Sequence, residues 1–126
     1  MQKSGLANQH GFTLIEIVAS LVIMGMLSSV AVHRYYMVEV NAEKKVLLGA
    51  VQELNTRELL GWLQVKLSVD GYPGDELLFV AISKDFGADY TWDAGPGLDG
   101  GTLHFGSQHT VLHRTPSDSG TPGRWQ

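Results

Sequence analysis

Residues Gly11 to Val32 read Gly-Phe-Thr-Leu-Ile-Glu-Ile-Val-Ala-Ser-Leu-Val-Ile-Met-Gly-Met-Leu-Ser-Ser-Val-Ala-Val. From Phe12 onward this is ~21 residues, about 31 Å as an α-helix, enough to cross the hydrocarbon core of a bilayer. Glu16 is the single ionisable group inside it, and Lys3 is the only firm charge in the polar segment Met1 to Gly11. A charge, a small residue and an apolar run make up the grammar of an export signal. Here, however, the small residue stands before the apolar run. A secretory signal is cut beyond its apolar region and loses it. A cut after Gly11 removes only the polar leader and leaves the helix on the mature chain.

The spacing Gly11-Phe12-Thr13-Leu14-Ile15-Glu16 ahead of an apolar run resembles the class III signal of type IV pilins and type II secretion pseudopilins. The resemblance runs from Gly11 to about Arg34. It implies cleavage between Gly11 and Phe12 by a prepilin peptidase/methyltransferase, and N-methylation of Phe12. It further implies polymerisation with other pilin or pseudopilin subunits on an inner-membrane assembly platform. Localisation follows: a single-pass inner-membrane protein with a periplasmic C-terminal domain, later part of a periplasmic or extracellular filament.

Glu16 carries a physical argument of its own. A carboxylate in hydrocarbon costs at least ~2.5 kcal/mol, so it is protonated or paired there. The family assigns it to assembly, paired with the Phe12 amine of a neighbouring subunit. The alternative is an interfacial glutamate satisfied by water and headgroups.

At 126 residues the chain holds one domain plus an anchor, and its net charge of −4 argues against a specific nucleic-acid partner. It has no cysteine, unlike many type IV pilins with a C-terminal disulfide loop. Position 33, where many pilins place a proline, is histidine; Gly25 is the residue that loosens the helix. Val32-His33-Arg34-Tyr35-Tyr36 reads as an interfacial belt. Arg34, Lys44 and Lys45 on the exported side oppose the positive-inside bias, so orientation rests on the leader motif.

The helical signal continues beyond the belt. Val40, Leu47, Val51, Leu54, Trp62, Val65 and Val69 fall in one stripe roughly 80° wide, which Glu58 interrupts. Glu53 and Arg57 form an i,i+4 pair on another face. No proline occurs between Phe12 and Tyr72, so one helix runs from Phe12 to about Val69. Asp70-Gly71-Tyr72-Pro73-Gly74 ends it. Glu76 to Ser83 reads as a central strand, Asp89 to Trp92 as a short second strand, and Ala94 to Gly101 as a loop. Thr102 to Phe105 and Thr110 to Arg114 form a hairpin.

The expected fold is therefore α+β. A long N-terminal helix, its first half transmembrane, carries a small antiparallel sheet of three or four strands on its C-terminal half. The expected boundaries are a leader at 1–11, a membrane and filament-core helix at 12–33, and its exported half at 34–69. A sheet domain follows at 70–115 and a flexible tail at 116–126, which Trp125 is able to pin.

Other chemistry is thin. Asp85-Phe86-Gly87 matches a kinase tripeptide without any other kinase element. His104, His109 and His113 lack clear ligand spacing for a metal. Asp85, Asp89, Asp93 and Asp99 share a loop-rich stretch where calcium is a candidate ligand, against the plainer reading of solubilising acids. No cofactor is expected otherwise. No nucleophile elbow, phosphate loop or catalytic carboxylate pair is present, so the expectation is a structural subunit rather than an enzyme. The alternative from another class is a membrane-anchored periplasmic binding or sensor module that does not polymerise.

Overall fold

A computed structural model describes Gly11 and residues 13–126. Helix α1 spans Leu14–Lys66, 53 residues without interruption. It passes through Gly25 and His33 with helical geometry kept at both. The chain divides into two compact units, one ending at Met37 and the other running Val38–Gln126. In the first unit the described side chains are exposed all round. α1 is long and apolar enough to cross a membrane, by length and composition. It stops at Lys66 rather than at the expected Val69. The Ser68 amide and hydroxyl both donate to the Val65 carbonyl, at 3.2 and 2.7 Å, closing the last turn.

The second unit is built on the expected stripe. Leu47, Ala50 and Leu54 of α1 are buried together with Leu103, Leu112 and Trp125. Each of the four leucines contributes about 1.5–3 kcal/mol on burial. Val69, the last position of the stripe, is fully exposed because the helix has already ended.

The expected strand over Glu76 to Ser83 is instead a helix, α2, spanning Asp75–Ala81. A short run apolar on both faces has no period that separates the two forms. Burial decides: Leu78 and Ile82, four apart, are the buried pair, and both face Gly61 of α1. A Cβ on Gly61 would lie 3.0 Å from Ile82, so the missing side chain is what lets α2 approach. Asp75 and Glu76 supply acids to the first turn, and Lys84 donates to the Phe79 and Ile82 carbonyls at the other end.

Four strands follow: β1 Tyr90–Gly97, β2 Gly100–Phe105, β3 Gln108–Thr115 and β4 Arg124–Trp125. They form one antiparallel sheet in the order β1-β2-β3-β4. β1 extends into the stretch expected as a loop, leaving only Leu98 and Asp99 as the turn. The expected hairpin is present, tightened to a turn at Gly106 and Ser107. Glu43 of α1 fastens that turn by accepting from the Ser107 amide and hydroxyl at 3.2 and 2.6 Å. Gly106 has a φ of 58°, and a side chain there would run into the Glu43 carboxylate.

The segment expected as a flexible tail is pinned by Trp125. That residue is buried, and Asn55 brackets it from α1, accepting from its amide at 2.7 Å and donating to its carbonyl at 3.0 Å.

Candidate functional site

The head of α1 is a reciprocal cap. The Thr13 amide donates to Glu16 Oε2 at 2.8 Å, and the Glu16 amide donates to Thr13 Oγ1 at 3.3 Å. Thr13 precedes the first helical residue and Glu16 stands three further on, so two otherwise unpaired donors of the first turn are met by side chains. The Thr-x-x-Glu spacing was legible in the sequence as a capping box, beside the charge argument for Glu16. One carboxylate oxygen of Glu16 is thus occupied within its own chain. The expected cut after Gly11 and the expected methylation fall on Phe12, which lies outside the described residues with residues 1–10.

The far half of α1 has two apolar faces. Leu47, Ala50, Leu54 and Glu58 turn inward and are buried. Leu48, Leu59, Leu60, Leu63 and Leu67 are exposed. On ~100° per residue Leu48, Leu59, Leu60 and Leu63 share an arc of about 120° centred opposite the buried set, together with Lys45, Gln52 and Thr56. Leu67 follows the end of the helix. Sequence reading found the inward stripe and missed its counterpart. The leucines at 59, 60 and 63 were the available signal.

Glu58, which interrupts the inward stripe in sequence, is the anchor of a buried charge cluster. Arg114 Nε donates to Glu58 Oε1 at 2.6 Å, and its Nη1 and Nη2 donate to Asp75 Oδ2 and Oδ1 at 2.8 and 2.7 Å. Trp125 Nε1 donates to Glu58 Oε1 at 3.0 Å, and the Ser117 amide and hydroxyl donate to Asp75. The Arg114 guanidinium, helped by Ser117 and opposed by partial burial, holds the Asp75 carboxyl at about 2. Burial works against the charge on Arg114, but Asp75 and Glu58 outweigh it and push its pKa up. The cluster joins α1, α2, β3 and β4. It is a hydrogen-bonded structural node.

The remaining candidates are dispersed. Asp85 accepts from the Gly87 amide at 2.8 Å, which accounts for the Asp-Phe-Gly tripeptide as a local turn. Asp89 and Asp99 are exposed in turns, and Asp93 lies on β1. His104 and His109 are cross-strand partners with rings stacked at 5.2 Å, and Asp93 Oδ2 is 3.7 Å from His104 Nε2. His113 sits opposite Gly100, away from that pair. Among the described residues, no group of three or more histidines and carboxylates is placed to hold a metal ion.

Comparison with known families matches residues 6–32 to the prokaryotic N-terminal methylation motif, the prepilin-type signature of type IV pilins and pseudopilins. No curated protein and no solved structure matches the chain.

Proposed function

We propose that this chain is a structural subunit of a type IV pilus or type II secretion pseudopilus. In this reading it is made as a prepilin, cleaved after Gly11, methylated at Phe12, and polymerised through α1 with its C-terminal domain on the periplasmic side. A prepilin peptidase/methyltransferase, an inner-membrane platform and other pilin-type subunits are its partners. The methylation motif supports the processing. The observation that carries polymerisation is the cluster Leu59, Leu60 and Leu63 of α1, exposed on the side away from the domain's own core. A helix serving only as an anchor for a binding or sensor module has no use for leucines there.

Two measurements test the reading. Intact mass of the membrane-extracted protein is expected to match Phe12–Gln126 plus one methyl group. A chain still beginning at Met1, or beginning beyond Val32, overturns it. The second uses Glu16→Gln, which retains an acceptor for the Thr13 amide and so keeps the cap. It removes the negative charge that a neighbour's Phe12 amine would need. Membrane insertion and cleavage are expected to persist while sheared-filament yield falls steeply. Undiminished filaments would leave Glu16 as a capping residue only and return weight to the plain anchor.

A further inference from the structure

The second unit carries two unlike surfaces at separate places along α1. The first is a groove of about 330 Å³ between α1 and β3, lined by Lys44, Leu47, Leu48, Val51, Gln108, His109 and Thr110. Its floor is aliphatic, Leu48 on its edge is 66% exposed, and Lys44 has no ion-pair partner among the described residues. The second is α2, which buries Leu78 but leaves Leu77 and Val80 exposed at 65% and 79%. Glu76, beside them, is likewise exposed and unpaired among the described residues. Gln64 marks the border of α1 with α2. On ~100° per residue, the α1 residues of the groove and the α2-facing residues Gly61, Gln64 and Val65 are centred about 100° apart around α1 and about 24 Å apart along it.

We infer that α2 of one copy seats in the α1–β3 groove of a second copy, with Leu77 and Val80 on Leu48 and Val51 and with Glu76 facing Lys44. This rests on the filament reading. The charge signs select the pairing: the knob offers a carboxylate and no free cation, and the groove rim offers Lys44 and no carboxylate. Placement selects the symmetry. Two different patches, separated around and along α1, make a heterologous contact, which propagates from copy to copy instead of closing on a pair. Two aliphatic side chains and one ion pair fall well short of the ~1,200 Å² that a stable interface buries. The contact therefore sets the lateral register of copies already gathered through their helices.

The chain has no cysteine, so any disulfide reports an introduced pair. The test uses the full-length chain in filament-forming cells, carrying Leu48→Cys and Leu77→Cys together. Both positions are exposed, and tryptophan fluorescence checks that the domain keeps its fold. Mild oxidation is expected to give a ladder of dimers, trimers and larger species, since a disulfide requires Cα atoms within about 7 Å. Neither single variant is expected to ladder. Adding Glu76→Lys is expected to cut the ladder about fivefold or more, and adding Lys44→Glu to restore it. Filaments seen by electron microscopy without a ladder would overturn this contact and leave the filament reading standing. Dimers that never extend would overturn the heterologous geometry, and crosslinks made only to a different polypeptide would overturn the identity of the occupant. Absence of filaments from the unmodified chain would overturn both inferences.

Discussion

At the scale of single residues, Arg114 is the side chain on which the domain most depends. It is buried, and it answers two carboxylates from two different helices. Arg114→Met keeps much of its length and removes its charge, leaving Glu58 in an apolar setting with only the Trp125 donor. Loss of one partner of a buried ion pair costs about 3–5 kcal/mol. The expected result is a fall of that size in urea-unfolding free energy, read by the fluorescence of Trp62, Trp92 and Trp125 on the detergent-solubilised chain. A second prediction follows from Asp75, whose folded pKa of about 2 lies below its ordinary 3.8. A depressed carboxylate stabilises above the unfolded pKa and loses that contribution as pH falls through the folded one. The domain is therefore expected to lose about 2 kcal/mol between about pH 4 and pH 2. Asp75→Asn should remove that part of the slope, and a slope unchanged by the substitution would mean the acid sensitivity lies elsewhere. None of this cluster was legible beforehand. Glu58 read as a flaw in a stripe because its partner lies 56 residues away, and periodicity carries no information at that distance.

At the scale of elements, legibility followed local periodicity. α1 was readable over nearly its whole length because the apolar spacing, the lack of proline and the turn cluster at Asp70 to Gly74 agree. The hairpin was readable because glycine marks its turn. α2 was not, since seven residues are too few to show a period when both faces are apolar. β4 was not, since two residues held by Asn55 and the core leave no pattern in a Pro/Gly-rich stretch. At the head of α1 the residues of the motif were legible, but the reciprocal bond between Thr13 and Glu16 had been passed over in favour of charge. The outer leucine face of α1 yields the next prediction. Leu59→Gln with Leu63→Gln alters exposed side chains, so domain stability is expected to stay within about 0.5 kcal/mol per site. Filament yield is expected to drop while membrane-bound monomer accumulates. A matching fall in stability would show that these leucines serve the domain's own core.

At the scale of the whole molecule, the domain is a chain without cysteine in which one apolar core and one charge cluster join α1, α2 and the sheet. The four aspartates that invite a calcium reading are spent separately: Asp85 on a turn amide, Asp93 beside His104, Asp89 and Asp99 in solvent. Millimolar calcium is accordingly expected to leave the melting temperature unchanged, because an ion that binds only the folded state must raise it. A rise that disappears in Asp93→Asn or Asp99→Asn would establish a site.

The reach of the charge cluster along the chain also sets the order in which the molecule is made. Glu58 meets Arg114 across 56 residues and Trp125 across 67, whereas every backbone bond of α1 is local. Local turns close in under a microsecond, and long loops pay their closure entropy before any contact rewards them. The helix therefore exists while its buried carboxylate is still in water, waiting for a hairpin not yet in place. The cluster closes last, because Glu58 and Asp75 lack their counter-charge until β3 arrives with Arg114.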